Sequence, residues 1–287
     1  MLIDTAVIPV AGLGTRLLTL TKNNPKEMVP IFAKSFNEIT LRPLIEQIFV
    51  QLYDSGIRNF FFIVGKNKRS IEDHFTPEIN YQGLKKKDQN YIDLLKDFYD
   101  KIEKSNIVWI NQNSPRGFGA AVLNAKEVVG SKSFIVHAGD AFVRNNNKHI
   151  KKLIKTFEKN KPEIIFYVKE IEKPKTYGIV KIKKINSHNF KIVDIEEKPK
   201  KPKSNLAVMP IYIFKPSIFN VLLKTKPGVG KEIQLTDAIQ KMIKDKKNVE
   251  AIKFLGKNDC IDIGTPENYY LATCISYKDS IGKKKNR

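Results

Sequence analysis

Thr5-Ala-Val-Ile-Pro-Val-Ala-Gly-Leu-Gly-Thr-Arg16 decides the fold: an apolar run reading as a strand passes directly into a glycine-rich turn that ends on a cation. Gly12 and Gly14 let backbone N–H groups approach an anion without obstruction from a Cβ. The turn fits neither common nucleotide loop. A dinucleotide fingerprint needs a third glycine where Leu17 stands, and a Walker A loop needs Gly-Lys-Ser/Thr, which the sequence lacks. Instead Pro25-Lys-Glu-Met-Val-Pro30 follows, placing Lys26 opposite Arg16 across a short excursion. Two cations so disposed suit a loop wrapped around a triphosphate.

Working outward, β-branched or aromatic runs alternate with amphipathic stretches, which is an α/β signature. Apolar residues at Leu41, Leu44, Ile45, Ile48, Phe49 and Leu52 predict a helix over 41–54, and Asn59-Phe-Phe-Phe-Ile-Val64 predicts a core strand. Further helices are expected over 88–104 and 120–129, each preceding a strand, 107–110 and 134–137. Beyond Asp140 the pattern predicts a helix over 148–160 and strands over 164–169, 178–182, 190–197 and 206–214. Helices over 216–224 and 234–244, a strand over 249–254 and a helix over 266–277 follow. The terminal Lys283-Lys-Lys-Asn-Arg287 reads as a solvated tail. One domain is expected over 1–287, with halves of about 1–143 and 144–287.

A chain of 287 residues with 41% hydrophobic and 28% charged residues can bury a large core and is not a disordered polymer. No run reaches the roughly 18 to 20 uncharged apolar residues of a membrane span, and Met1 leads straight into a strand pattern, so a cytoplasmic protein without a membrane partner is expected. A net charge of +21 raises phosphate-rich partners. Only seven of the 51 cationic residues are arginine, whereas a nucleic-acid groove favours arginine. No nucleic-acid partner is therefore expected. Cys260 and Cys274 carry neither metal-ligand spacing nor a disulfide framework and read as buried thiols.

Gly12-Leu-Gly-Thr-Arg-Leu17 with Pro25-Lys-Glu-Met-Val-Pro30 resembles the signature of the sugar-1-phosphate nucleotidyltransferases. Lys68-Arg-Ser-Ile-Glu-Asp-His-Phe75, Gly117-Phe-Gly-Ala-Ala-Val122, Tyr177-Gly-Ile-Val180, Glu196-Glu-Lys-Pro199 and Glu232-Ile-Gln-Leu-Thr-Asp237 are similar to the bacterial-type UTP:glucose-1-phosphate uridylyltransferases within that family. The resemblance is collinear over about residues 5 to 275. It implies a Rossmann-like mixed, mostly parallel sheet flanked by helices, of the nucleotide-diphospho-sugar transferase type, with no C-terminal β-helix. It implies transfer of the uridylyl group of UTP to glucose 1-phosphate with Mg²⁺. A thymidylyltransferase, another sugar-1-phosphate nucleotidyltransferase, or a non-enzymatic binder of anionic polymers on the same fold are the alternatives. Two departures stand out. Thr19 replaces the proline of Arg-x-x-Pro, and Ala33-Lys-Ser35 replaces Asp-Lys-Pro, with extra residues before the helix expected at Leu41.

The resemblance also assigns roles. Ala11, Gly12 and Gly14 contact the nucleotide through their backbone, Arg16 and Lys26 hold its phosphates, and Gln112 reads the base, an amide being able to donate and accept toward a uracil imide. Gly117 and Gly119 bring a loop close to that base. Asp140 and Asp262 form an oxygen-ligand site for Mg²⁺. Gly178 and Glu197 face the hexose, and Lys198 grips its phosphate. Glu232 to Asp237 also reads as a plain helix-capping sequence and is left out of the site. His137 falls three residues before Asp140 and reads as sheet packing, while His149 and His188 fall in lysine-rich stretches expected to be exposed. Tyr269, Tyr270, Leu271, Ile275 and Tyr277 on the last helix suggest a homo-oligomer, dimer or tetramer.

Overall fold

The computed structural model describes residues 3–35, 38–77, 89–144, 147–185, 189–256 and 258–282. β1 (Thr5–Pro9) is buried along its whole length, so after Thr5 its sequence is continuously apolar rather than alternating. β2 (Pro30–Ser35) and β3 (Glu38–Pro43) form an antiparallel hairpin that leads into α1 (Leu44–Tyr53). β4 (Asn59–Val64), α2 (Arg69–His74), α3 (Gln89–Glu103), β5 (Asn106–Asn111), α4 (Phe118–Leu123), α5 (Lys126–Val129) and β6 (Phe134–His137) complete the first half, which ends on the short β7 (Ala141–Val143). The second half contains α6 (Lys148–Asn160), β8 (Ile164–Glu170), β9 (Gly178–Lys184), β10 (Asn189–Glu197), β11 (Leu206–Phe214), α7 (Ser217–Leu222), α8 (Leu235–Lys244), β12 (Val249–Lys253), β13 (Cys260–Asp262) and α9 (Pro266–Ile281).

Nine of these strands form one sheet in the order β5-β4-β1-β6-β11-β8-β12-β10-β9. It is mixed, as expected. Parallel pairing joins β4 to β5, β1 to β4, β1 to β6 and β8 to β12; β11, β10 and β9 pair antiparallel with their neighbours. The parallel character therefore belongs mainly to the first half rather than to most of the sheet. Among the described residues there is no β-helix, and no helix is long and apolar enough to cross a membrane.

The pleat sorts the core. On β4, Phe60, Phe62 and Val64 enter one hydrophobic cluster while Phe61 and Ile63 enter the other, because successive strand side chains point to opposite faces. α1 covers the first face, with Phe49 seated against Phe60, Phe75 and Phe98 at centroid distances of 4.6, 5.2 and 5.8 Å. α4, α7 and α8 cover the second through residues such as Val122, Leu222 and Ile239.

Three expectations are corrected. The helix expected from Leu41 starts at Leu44, and Leu41 lies exposed on β3. A proline disfavours helical backbone at the residue before it, so Arg42 is held extended by Pro43, itself at φ −54°, ψ 141°. Of the extra residues noted around 35–41, Ser35 ends one arm of a hairpin and 38–41 belong to the other. The helix expected over 120–129 is two short ones, α4 and α5, separated by Asn124 and Ala125. His149 is buried, not exposed, since it belongs to the inward face of α6 with Ile150, Leu153, Ile154 and Phe157. His188, Asp88 and the tail 283–287 lie outside the described residues. On α9, Tyr269 and Ile275 pack against the core, whereas Tyr270, Leu271 and Tyr277 are exposed.

Candidate active site

Parallel strands β1, β4, β5 and β6 present their C-terminal ends on one side of the sheet, where open α/β sheets bind ligands. The segments that leave them enclose a cavity of about 490 Å³. Ala11, Gly12, Gly14 and Arg16 come from the turn after β1, Gln112 from the residue after β5, and Asp140 from the turn after β6. Lys26 and Gly117 close it. Every residue expected to bind the nucleotide therefore lines this one cavity.

Gly117 is required here. Its φ of 104° is a backbone conformation that side chains avoid, and a methyl group on it would lie 2.7 Å from Glu232 Cβ and 2.8 Å from the Ile233 carbonyl oxygen. The tight approach is held by hydrogen bonds on both sides: Ile233 N–H donates to the Arg116 carbonyl at 2.8 Å, and Gly119 N–H donates to the Ile233 carbonyl at 3.0 Å. The segment Glu232 to Asp237, left out of the site on sequence grounds, thus contributes Glu232 to this cavity and Gln234, Leu235 and Thr236 to the one beside it. The segment's place among the family-like strings was the signal for this, and its equally good fit to a capping pattern masked it.

A second cavity of about 220 Å³ adjoins the first and shares Phe118, Ala138 and Asp140 with it. Gly178 and Glu197 line it, as does Asp262. Thr236 Oγ1 donates to Glu197 Oε2 at 2.9 Å, fixing the carboxylate. Burial, which outweighs that bond and the charge of Lys198, raises the Glu197 pKa above the usual carboxylate range. Lys169, which the sequence reading did not single out, also lines this cavity and donates its Nζ to the Cys260 carbonyl. Lys198 is not brought in: its side chain is 44% exposed and its Nζ lies 3.7 Å from Glu197 Oε1. Cys260 is buried and Cys274 half-buried, both as free thiols.

The two carboxylates meet through a pair of very short strands. β7 and β13 are antiparallel with Asp262 opposite Ala141, and Ile263 N–H donates to the Asp140 carbonyl at 3.0 Å. Lys26 Nζ makes an ion pair with Asp140 Oδ2. Burial works against the charged forms of both partners. The Asp140 carboxylate outweighs it at Lys26, holding the ammonium above its ordinary range, while Lys26 and Arg16 hold the Asp140 carboxyl below its own. Among the described residues Asp262 has no ion pair of its own, and the pull of Lys26 and Arg16 on it is outweighed. Burial and the neighbouring Asp140 charge push its carboxyl up to about 6, and its Oδ1 is buried without a hydrogen bond. A buried anionic oxygen left unpaired beside a second carboxylate suits a hard divalent cation. Asp140 and Asp262 therefore fit such an ion, and they are the residues that would hold it.

A mixed α/β sheet whose first strand feeds a glycine-rich phosphate turn, with two carboxylates and a lysine at the junction of two cavities, defines a nucleotide-dependent transferase. The nucleotidyl transferase family matches residues 5–278, and the chain belongs to it. It is 35% identical to UTP--glucose-1-phosphate uridylyltransferase 2 of Staphylococcus saprophyticus, over 96% of this chain and 92% of the relative. It is 34% identical to a UTP--glucose-1-phosphate uridylyltransferase of Staphylococcus epidermidis over the same shares. The crystal structure of a UDP-glucose pyrophosphorylase complexed with UDP-glucose is similar with a TM-score of 0.82 at 31% identity, covering 96% of this chain and 99% of that one. A UTP-bound enzyme of this kind from Acinetobacter baumannii is similar with a TM-score of 0.80 at 30% identity, covering 95% and 93%.

Proposed function

We propose that the chain transfers the uridylyl group of UTP to glucose 1-phosphate, releasing pyrophosphate. One observation carries the proposal: two cavities, one lined by the residues expected to hold a nucleotide and the other by those expected to face a hexose, meet at Asp140, beside Lys26 and Asp262. The half of about 1–143 binds UTP, with Gln112 reading the uracil edge, Ala11, Gly12, Gly14 and Gly117 supplying close backbone, and Arg16 and Lys26 holding phosphate oxygens. The half of about 144–287 binds glucose 1-phosphate, with Gly178 and Glu197 on the hexose and Lys198 turning toward its phosphate. A phosphate oxygen of the sugar attacks the α-phosphorus in line, the bond to the bridging oxygen breaks, and pyrophosphate leaves. The residues act by positioning and by neutralising charge. Asp140 and Asp262 would hold Mg²⁺, which would supply charge neutralisation on phosphate oxygens. The names of the relatives support UTP and glucose 1-phosphate. Pyrophosphate release from a panel of nucleoside triphosphates and sugar phosphates tests the proposal. UTP with glucose 1-phosphate should far outpace ATP or GTP, and equal rates with GTP would exclude this assignment. Preference over dTTP rests on a single methyl, worth roughly 1 to 3 kcal/mol. A cytoplasmic oligomer that buries the exposed side of α9 completes the proposal, and its mass is read by light scattering.

No side chain is needed as a general base. The second pKa of a phosphate monoester is about 6, so the nucleophile has already lost its proton at neutral pH. His137 is fully buried, its Nδ1 lies 2.8 Å from the Ala138 carbonyl oxygen, and burial lowers its pKa to about 4. This folded pKa lies below the unfolded value near 6.5, so the unfolded chain takes up the proton first and stability is lost as pH falls from about 6.5 toward 4. The expected loss is roughly 3 kcal/mol. His137→Gln should flatten that part of a denaturation-versus-pH profile and keep kcat within about tenfold. A thousandfold loss of kcat with intact fold and nucleotide binding would assign His137 a proton-transfer role.

A further inference from the structure

Glu27 and Lys68 form a buried ion pair that the reaction proposed above leaves unused. Lys68 Nζ lies 2.8 Å from Glu27 Oε2, and the side chains are 6% and 1% exposed. Glu27 follows Lys26 on the same 3-10 turn, Lys26–Met28. It also supports the turn that delivers Asp140, because a methyl group on Gly139 would lie 3.1 Å from Glu27 Cγ. Lys68 stands between β4 and α2, one residue before the helix begins. The pair thus joins three loops at the edge of the nucleotide cavity.

Three carboxylates, Asp140, Glu27 and Asp262, lie close enough to Lys26 to act on its charge. Lys26 is paired with Asp140, and among the described residues the only ion pair of Glu27 is with Lys68. Deprived of its partner, a carboxylate buried at this depth either takes up a proton or recruits the nearest cation, and Lys26 is its neighbour on the same turn. We infer that Lys68 is a positioning residue: by neutralising Glu27 it keeps the Lys26 ammonium on Asp140 and on the nucleotide phosphates. Without Lys68, Lys26 turns toward Glu27 and leaves the reacting groups. The inference rests on Lys26 serving the transfer proposed above.

Four full-length variants test it by steady-state pyrophosphate release with UTP and glucose 1-phosphate. Lys68→Met should lower kcat by about a hundredfold with KM for glucose 1-phosphate within about threefold. Removing the stranded carboxylate as well, in Lys68→Met with Glu27→Gln, should restore kcat to within about tenfold of wild type. Glu27→Gln alone strands a lysine rather than a carboxylate, offers Lys26 no competing anion, and should lose no more than about tenfold. Lys68→Arg should lose less than Lys68→Met. A merely structural bridge would suffer from either single substitution alike, so equal losses in Lys68→Met and Glu27→Gln overturn the inference. A double variant no faster than a folded Lys68→Met overturns it too. Should Lys68→Met fail to fold, the double variant and Glu27→Gln decide: a hundredfold loss in either contradicts the inference. Wild-type protein that releases no pyrophosphate overturns the proposed function, whereas an active wild type with an unrescued double variant overturns only the role of Lys68.

Discussion

Lys26→Ala is expected to lower kcat by about a thousandfold, with KM for glucose 1-phosphate within about threefold. Lys26 lines the nucleotide cavity and pairs with Asp140, so its loss removes a preorganised cation from the place where negative charge is redistributed. It also leaves Asp140 buried beside Asp262 with no lysine between them and the phosphates. Arg16 remains in the cavity and should preserve much of the UTP affinity. The expected result is therefore a defect in turnover more than in binding, measured by steady-state kinetics alongside UTP titration. Turnover within tenfold of wild type would show that Lys26 is an ordinary wall residue.

A comparable loss is expected from Asp262→Asn or Asp140→Asn, about a thousandfold in kcat at saturating Mg²⁺, since each removes one of two anionic ligands. The two differ in what they do to the metal-free protein. The folded pKa of Asp262, about 6, is raised above its ordinary value of 3.8, so at pH 7 its charge opposes folding, and that penalty fades as pH falls through 6. Asp262→Asn should accordingly raise the Tm of metal-free protein at pH 7. Asp140 carries the opposite shift: its carboxylate stabilises the fold above its unfolded pKa, and Asp140→Asn should lower the Tm. Differential scanning calorimetry in EDTA reads both. Full wild-type turnover in excess EDTA would remove the metal from the mechanism.

How much was legible in the sequence depended on distance along the chain. The turn from Ala11 to Arg16, the excursion to Lys26 and the carboxylate after β6 could be read because each is a local string at a strand end, where topology leaves few choices. The start of α1 was misread because Leu41 falls in phase with the apolar stripe of the helix. The counter-signal was present in Arg42-Pro43, where the proline forbids a helical turn. His149 was misjudged from its lysine neighbours although its spacing of four and eight residues to Leu153 and Phe157 marks the buried face of α6. The bond from Lys68 to Glu27 spans 41 residues, and neither residue shows in sequence that its side chain turns inward. Lys198 illustrates the reverse: its string is family-like, yet the side chain is not among those that line the cavity and sits half exposed beside Glu197, which is.

The pairing of β7 with β13 has a consequence for the order in which activity can arise. It sets Ala141 opposite Asp262 across about 120 residues of chain, while the glycine turn, Lys26 and Asp140 all belong to the first half. A ribosome delivers β1, β4, β5 and β6 first and the second carboxylate only about 120 residues after Asp140. A nascent chain stopped before residue 260 would hold a phosphate turn and one carboxylate, but not the pair. The pair that the proposed metal site needs thus forms only after much of the second half has been made.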